Sequence, residues 1–219
     1  MKAKQYHYIL FDLDGTLTDP GEGITNSVAH ALAYYGIQNE DRSLLNKFIG
    51  PPLAESFAEF YGFSEERIAE ATEYFREYFR DKGIFENEIY EGIEDVLKEL
   101  LANGKELIVA TSKPEEFAKR ILEHFHIIQY FTFVAGSTMD EKRVKKDEVI
   151  RYALESCAIE DTSQAIMIGD RRHDIIGAKK VGMDSIGVLY GYGDEEELTG
   201  AGATYLAETV QDIVKLLHE

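Results

Sequence analysis

The chain has 219 residues, of which 44% are hydrophobic, and this is enough for one globular core with an insertion. Lys and Arg number 23 against 41 Asp and Glu, and the resulting net charge of −18 argues against binding to nucleic acid or to an anionic membrane. Cys157 is the single cysteine, which excludes an intramolecular disulfide framework and a cysteine-based zinc cluster.

The first residues of the sequence do not resemble a signal peptide, because the apolar run YILF is short and acidic residues follow it at once. No run of about eighteen apolar residues occurs that could form a membrane-spanning helix. We therefore expect a soluble, cytoplasmic protein.

Five short apolar runs predict buried strands. In chain order they are YILF before Asp12, LIVA before Thr111, TFVA before Gly136, AIMI before Gly169, and SIGVLY before a glycine-rich segment. Runs without polar alternation are typical of parallel strands that are buried on both faces. Helical patterns over 115–125, 146–157 and 209–217 lie between or after these runs. The alternation predicts an α/β protein with a doubly wound, Rossmann-like parallel sheet.

The segment 21–82 interrupts this alternation with helical patterns only. Apolar residues recur at helical spacing after Ile24 and again after Ser64, which is a favourable N-cap residue. Glycines mark both ends of the segment, within 20–23 and at Gly83, and a glycine backbone can absorb large dihedral changes. We expect an all-helical cap domain over 21–82 that opens and closes on a core domain of residues 1–20 and 83–219.

Polar side chains directly follow the predicted strands: Asp12 and Asp14, then Thr111, Ser112 and Lys113, then Ser137 with the basic cluster within 142–146, and Asp170 with Asp174. Each of these could simply cap a helix, since Ser and Asp are common N-cap residues. Ligands of open parallel sheets bind beyond the carboxyl ends of the strands, however, and all of these side chains would meet there. We therefore expect them to form one site.

The first strand runs into the motif DLDGTLTD, and its four fixed residues D-x-D-G-T match by chance at about one position in 10⁵. With VATSK after the second strand, a lysine after the third and IGDRRHD after the fourth, nearly the whole sequence resembles the haloacid dehalogenase superfamily of aspartate-nucleophile phosphatases. The helical insertion is similar to the mobile cap of that family. IGPPL in the insertion and GVLYGYGDEEEL after the fifth strand are most similar to its phosphoglycolate phosphatase-like branch.

The resemblance implies a catalytic pair at the end of the first strand. Asp12 would attack phosphorus as an ionised carboxylate and form an aspartyl-phosphate. Asp14 would protonate the leaving group and then deprotonate the hydrolytic water. Gly15 would permit the tight turn that follows, and Thr16 would support it.

The resemblance also implies a bound Mg²⁺ ion, because several carboxylates would otherwise repel a substrate phosphate. Its ligands would be the carboxylates of Asp12 and Asp170 together with the backbone carbonyl of Asp14. Asp174 would support the site from behind these ligands or through water.

Phosphate binding would involve Thr111, Ser112 and one lysine. The family pattern has a proline after this lysine, which the present sequence lacks. Lys146 fits the register of the following helix best, and Lys145 is the alternative. Substrate selection would come from a loop of the cap formed by Ile49, Gly50, Pro51, Pro52 and Leu53.

We therefore expect a Mg²⁺-dependent phosphatase that hydrolyses the phosphate monoester of a small metabolite, with phosphoglycolate, a 5′-nucleotide and pyrophosphate open as substrates. A phosphosugar mutase similar to β-phosphoglucomutase uses the same motifs and stays open as an alternative. From a different class, a phospho-receiver domain also combines acidic residues, Mg²⁺ and a lysine, but it would not need the helical insertion. The expected partner is a small phosphorylated metabolite, without nucleic acid or membrane, and the chain is expected to be a monomer or a small homo-oligomer.

Overall fold

The computed structural model describes residues 5–38, 41–139 and 142–218, and the chain divides into two compact units. The first unit consists of Met1–Thr18 and Ile89–Glu219, and the second of Asp19–Glu88. Two short strands, β2 (Thr18–Asp19) and β3 (Glu88–Ile89), pair at the chain crossings between the units.

A six-stranded parallel sheet forms the centre of the first unit. Its strands lie in the order β5-β4-β1-β6-β7-β8. They are β1 (Tyr8–Phe11), β4 (Glu106–Pro114), β5 (Phe133–Ser137), β6 (Ala165–Gly169), β7 (Asp184–Val188) and β8 (Tyr205–Ala207). The predicted parallel α/β sheet is thus confirmed, and the first five strands coincide with the five apolar runs.

Six helices connect or follow these strands. Numbered in chain order, they are α4 (Ile93–Ala102), α5 (Glu115–His124), α6 (Lys146–Ser156), α7 (Arg172–Lys180), α8 (Glu195–Ala201) and α9 (Asp212–His218). The apolar faces of α6 and α7 join the strands in one buried cluster that includes Leu10, Ile150 and Met167. Pro114 ends β4 with extended backbone and is the N-cap residue of α5.

The register of the sheet determines where the functional side chains lie. Phe11, the last residue of β1, pairs with Val109 of β4 on one side and with Ile168 of β6 on the other. Because all three strands run in the same direction, the residues that follow them emerge at one edge, which we call the carboxyl edge. Asp12, Thr111 and Asp170 come within two residues of these paired positions.

The second unit is helical between its two crossings in the part that the structure describes. It contains α1 (Gly21–Ala33), a 3-10 helix (Arg42–Phe48), α2 (Leu53–Tyr61) and α3 (Glu65–Tyr78), which continues as a π-helical turn (Phe79–Gly83). Aromatic side chains fill its interior, where the rings of Phe57 and Phe63 are stacked with centroids 5.8 Å apart. Ser64 caps α3 as predicted, because its hydroxyl accepts a hydrogen bond from the Arg67 N–H.

The glycines predicted to be hinges have a packing role within this second unit. A β-carbon on Gly23 would overlap the carbonyl oxygen of Gly83, and one on Gly83 would lie 2.6 Å from Oγ of Ser27. The N–H of Gly23 also donates to the carbonyl of Glu86 at 2.9 Å. Through these contacts the end of the segment packs against the start of α1, and the second compact unit accordingly runs to Glu88, whereas the sequence predicted a cap over 21–82.

Within the described residues, no helix combines the length and the apolar character that crossing a bilayer requires.

Candidate active site

The carboxyl edge of the sheet holds an unusual number of buried charged side chains. Asp12, Asp14, Lys146, Asp170 and Asp174 are each at most 8% exposed. Ionised groups are expensive to bury unless they are paired, so such a cluster marks this edge as the candidate site.

Asp12 is held directly at the end of β1. Its Oδ1 accepts a hydrogen bond from the N–H of Leu13 at 2.8 Å and lies 2.9 Å from Nζ of Lys146. Both contacts are made to the same carboxylate oxygen. They fix the plane of the carboxylate without involving Oδ2.

Lys146 is the basic residue that the structure places inside this cluster. Its Nζ lies 2.7 Å from Oδ1 of Asp174, besides Asp12, and donates to the carbonyl of Ala110 at 3.1 Å. Burial alone would lower the pKa of Lys146, but the carboxylates of Asp12 and Asp174 outweigh burial and raise it. Lys145, the alternative from the sequence, is exposed at the N-cap of α6.

The stem of Lys146 passes close to a glycine of α7. A β-carbon on Gly177 would lie 2.8 Å from Cγ of Lys146. Contacts between β-carbons and other heavy atoms are essentially never that short, so any larger residue at 177 would displace the lysine. The sequence alone indicated no role for Gly177, because a lone glycine in a helical pattern does not show which side chain packs against it.

Asp14 forms an ion pair with Lys113, a residue that the sequence placed at this edge without a specific role. Nζ of Lys113 lies 2.9 Å from Oδ1 and 2.6 Å from Oδ2 of Asp14. The two side chains are only 6% and 11% exposed. Burial raises the pKa of Asp14 and nearby Asp12 adds to this, while Lys113 acts in the opposite direction. In the sequence, the only indication that Lys113 belongs to the site is its position directly after Thr111 and Ser112.

Asp170 and Asp174 lie at the end of β6 and the start of α7. Oδ2 of Asp170 accepts a hydrogen bond from the N–H of Tyr192 at 2.8 Å, and Oδ2 of Asp174 accepts one from the N–H of Arg171 at 3.1 Å. Burial, followed by the charges of Asp174 and Asp12, raises the pKa of Asp170 well above its usual range. Burial likewise raises the pKa of Asp174 to about 7, although Lys146 opposes the shift.

The charges at this edge do not balance. The carboxylates of Asp12, Asp14, Asp170 and Asp174 outnumber the ammonium groups of Lys113 and Lys146 by two. One oxygen from each of Asp12, Asp170 and Asp174 lies within 4.8 Å of the other two. Oδ1 of Asp170 is buried and has no hydrogen-bond partner among the described residues. A buried set of oxygen donors in which carboxylates outnumber ammonium groups fits a hard divalent cation such as Mg²⁺.

The remaining predicted residues of this unit are at the same edge. Thr111 is buried, and its Oγ1 accepts a hydrogen bond from the N–H of Lys113 at 3.2 Å. Ser112 is half-buried between them. Gly15 has a φ of +79°, so the turn after Asp14 does require glycine, and Thr16 is fully buried beyond it.

The predicted selectivity loop lies in the second unit, between the 3-10 helix and α2. Ile49 is fully buried there, whereas Gly50, Pro51, Pro52 and Leu53 are half-buried. Pro52 has extended backbone and precedes the first turn of α2.

Comparison with known proteins agrees with this arrangement. A family model described as haloacid dehalogenase-like hydrolase matches residues 9–188. Among solved structures, a protein from Clostridium acetobutylicum described as a predicted phosphatase has a TM-score of 0.95 with this chain at 53% sequence identity. The match covers 98% of this chain and 100% of that one.

Two curated relatives carry different names. The chain is 47% identical over 216 residues to a 5′-nucleotidase of Pseudomonas aeruginosa, covering 99% of this chain and 97% of the relative. It is 26% identical over 225 residues to a phosphoglycolate phosphatase of Vibrio parahaemolyticus, covering 99% of this chain and 98% of the relative. The resemblance that the motifs indicated is confirmed by these matches.

Proposed function

We propose that this chain, which belongs to the family of haloacid dehalogenase-like hydrolases, removes phosphate from a small phosphorylated metabolite with the help of bound Mg²⁺. The chain is a phosphatase, and the proposal adds the mechanism, the ion and the substrate class. One observation carries the mechanism. Asp12 is fixed at the end of β1 by Leu13 and Lys146, inside a buried cluster whose charge a dication would balance.

In the first step, Oδ2 of Asp12 attacks the phosphorus atom of the substrate. The new bond joins this oxygen to phosphorus, the bond from phosphorus to the ester oxygen breaks, and an aspartyl-phosphate results. An ionised carboxylate needs no base for this step. Because Lys146 and the Leu13 N–H both hold Oδ1, the attacking oxygen keeps a fixed direction.

Asp14 supplies the proton that the leaving oxygen needs. Burial raises the pKa of Asp14, while the ion pair with Lys113 acts in the opposite direction, and the proposed role requires Asp14 to carry a proton when the substrate is bound. In the second step, the same carboxylate accepts a proton from water, whose oxygen attacks phosphorus and displaces Asp12. Phosphate is released and both aspartates return to their starting forms.

The two lysines and Thr111 provide positive charge and hydrogen bonds for the phosphoryl group. Lys146 contacts the carboxylate of Asp12, and Lys113 contacts the carboxylate of Asp14. The Thr111 hydroxyl can donate to a phosphoryl oxygen, since a hydroxyl that accepts from the Lys113 N–H still has its own proton to donate. Positive groups of this kind stabilise charge that moves onto oxygen in the transition state.

A Mg²⁺ ion would be held by the carboxylates of Asp12 and Asp170 and by the backbone carbonyl of Asp14, with Asp174 next to them. When bound, it would neutralise the oxygens of the substrate phosphate and polarise the phosphorus for attack. The unpartnered buried Oδ1 of Asp170 is the feature that supports this assignment.

Nucleoside 5′-monophosphates are the first substrates to test. The 5′-nucleotidase relative is 47% identical to this chain, whereas the phosphoglycolate phosphatase relative is 26% identical. The decisive measurement is phosphate release from nucleoside 5′-monophosphates, phosphoglycolate, pyrophosphate and a hexose phosphate, with Mg²⁺ and after exhaustive chelation. Release that persists without metal would refute the Mg²⁺ assignment. Interconversion of hexose phosphates without net release would favour a mutase.

We further propose that the second unit selects the substrate through residues 50–53. The test compares kcat/KM for several esters in the intact protein and in Leu53→Ala, because selectivity is a ratio of these values. Ile49 is unsuitable for substitution, since it is fully buried and its loss would disturb packing. Leu44→Ala is the matched control, because this leucine of the same unit is 62% exposed. We expect Leu53→Ala to change the ranking of the esters; an equal fall for every ester would make the loop a structural element only.

A further inference from the structure

The segment between β7 and α8 reaches the carboxyl edge of the sheet and contacts Asp170. We call residues 190–193, which are Tyr190, Gly191, Tyr192 and Gly193, the glycine loop. In the sequence, this segment indicated only a similarity to one branch of the family. The structure gives it a specific set of contacts with the proposed metal ligand.

The first contact is a hydrogen bond from the backbone to the carboxylate. The N–H of Tyr192 donates to Oδ2 of Asp170 at 2.8 Å. Oδ1 of the same carboxylate is buried and has no hydrogen-bond partner among the described residues. The two oxygens are therefore distinguished: one is held by the glycine loop and the other is left to bind a ligand.

The second observation is the absence of side chains at the two glycines. A β-carbon on Gly191 would overlap both the carbonyl oxygen of Gly15 and Cβ of Asp170. A β-carbon on Gly193 would overlap the carbonyl oxygen of Asp170. The backbone of the loop can reach the carboxylate only because these positions are glycines.

Contacts on both sides hold the glycine loop in place. The hydroxyl of Tyr190 donates to the carbonyl of Thr16 at 3.0 Å, which ties the loop to the turn after Asp14. On the other side, Glu197 of α8 accepts hydrogen bonds from Nε of Arg171 at 2.9 Å and from the N–H of Arg172 at 2.8 Å. Arg171 and Arg172 directly follow Asp170, so both ends of the loop are anchored next to the site.

We propose that the glycine loop is a positioning element that orients Asp170 so that Oδ1 faces the divalent cation. The inference rests on the proposed function, because it assumes that Asp170 is a metal ligand. Groups that hydrogen-bond to a metal ligand fix its orientation, and their loss commonly weakens metal binding by about 10- to 100-fold. Without the hydrogen bond from Tyr192, the Asp170 carboxylate could rotate, and Oδ1 would face the cation only part of the time. The glycine loop prevents this rotation.

The test measures binding of Mn²⁺, as a paramagnetic substitute for Mg²⁺, to the whole protein without substrate. Electron paramagnetic resonance of free Mn²⁺ gives the dissociation constant independently of activity. Gly191→Ala adds one methyl group that displaces the loop. Gly200→Ala is the matched control, because a β-carbon on this nearby glycine of α8 meets nothing within 4 Å. Asp170→Ala shows the loss expected when the ligand itself is removed.

We expect Gly191→Ala to weaken Mn²⁺ binding about tenfold or more, with Gly200→Ala equal to the wild type. Equal Mn²⁺ affinity in the wild type, Gly191→Ala and Gly200→Ala would overturn the inference. An equal loss of affinity in the two glycine variants would also overturn it. If Gly191→Ala does not fold, Glu197→Ala is the deciding variant. It removes the hydrogen bonds from Arg171 and Arg172 at a partly exposed position, so the fold should tolerate it. Weaker binding by about threefold or more in that variant supports the inference, and unchanged binding refutes it. Absence of Mn²⁺ binding to the wild type would refute the proposed function instead.

Discussion

The polar side chains at the two edges of the central sheet differ in whether their charges and hydrogen bonds are paired. At the carboxyl edge, four carboxylates and two lysines are nearly buried, they do not balance, and one carboxylate oxygen has no hydrogen-bond partner among the described residues. At the amino edge, the polar side chains are paired. The hydroxyl of Tyr6 donates to Oδ2 of Asp184 at 2.7 Å, and Nζ of Lys105 donates to the carbonyl of Tyr6 at 2.6 Å.

The difference indicates that the two edges serve different purposes. Paired groups at the amino edge link the segment before β1 to β7, and such bonds stabilise a fold modestly. Unbalanced buried charge at the carboxyl edge lowers stability unless a ligand compensates it. Substitutions at the carboxyl edge should therefore change activity most, and substitutions at the amino edge should change only stability.

The largest effect on activity is expected from Asp12→Asn. The amide has almost the same shape as the carboxylate but is a poor nucleophile, so we expect phosphate release to fall by more than about a thousandfold with the fold intact. Steady-state kinetics and circular dichroism measure the two properties. A residual rate above about a thousandth of the wild-type rate would remove Asp12 from the role of nucleophile.

Lys146→Met is expected to reduce both activity and stability. Removal of the ammonium group leaves Asp12 and Asp174 without their buried partner, which typically costs about 3–5 kcal/mol in the free energy of unfolding. The matched control is Lys145→Met, because this neighbouring lysine is exposed and its loss should cost less than about 0.5 kcal/mol. Urea unfolding of both variants checks the comparison. Similar losses in the two would show that burial of Lys146 has no energetic importance.

Lys113→Met should affect proton transfer more than binding of the phosphoryl group. Without its partner, Asp14 loses the contact that fixes both of its oxygens, so kcat/KM for an alkyl phosphate should fall about 10- to 100-fold. The fall should be smaller for p-nitrophenyl phosphate, whose leaving group needs no proton. Lys119→Met, at an exposed lysine of α5, is the control. Equal losses on both esters would indicate that Lys113 acts on the phosphate and not through Asp14.

The smallest effect is expected at the amino edge, from Tyr6→Phe. The variant loses the hydrogen bond to Asp184, so the free energy of unfolding should fall by about 1 kcal/mol with activity unchanged. Burial and the hydrogen bonds to Tyr205 and Asp184 raise the pKa of Tyr6 above its ordinary value. A tyrosine pKa that is higher in the folded than in the unfolded state stabilises the protein. This stabilisation is complete at pH values below the unfolded pKa of about 10 and is lost as the pH rises from there towards the folded pKa. Urea unfolding at pH 8 and at pH 10.5 should therefore show the wild-type advantage shrinking; an advantage that stayed constant would contradict the shift.

Sequence patterns predicted most of the sheet because the strands are buried on both faces. The first five strands of the central sheet each contain a short apolar run, and such runs differ from the helical patterns around them. β8 was not predicted, because Tyr205–Ala207 has three residues and two of them are half-buried. The hinge interpretation of Gly23 and Gly83 stays a prediction, although both glycines are closely packed. Glycine permits both bending and close packing, and only the position of the partner backbone distinguishes the two.

The candidate site was predictable as a set of residues and less so as a set of contacts. The order of the strands brings Asp12, Thr111 and Asp170 to one edge, and the helical register of α6 places Lys146 with buried Val149 and Ile150. The ion pair of Lys113 with Asp14 depends on side-chain conformation, which no spacing pattern encodes. The hydrogen bond from Tyr192 comes from the backbone, and every residue except proline has the same donor.

The central position of β1 also determines at which stage of synthesis the candidate site can form. Tyr8 pairs with Glu106 on one side and with Ala165 on the other, so a ribosome must complete β4 and β6 before β1 has both neighbours. The helical unit, by contrast, is continuous from Asp19 to Glu88 and has all its internal partners as soon as residue 88 has emerged. Pairings between distant segments form slowly, because closing a long loop costs entropy. Asp12 is thus synthesised early and positioned late, and in a nascent chain released before β6 the candidate site has not formed.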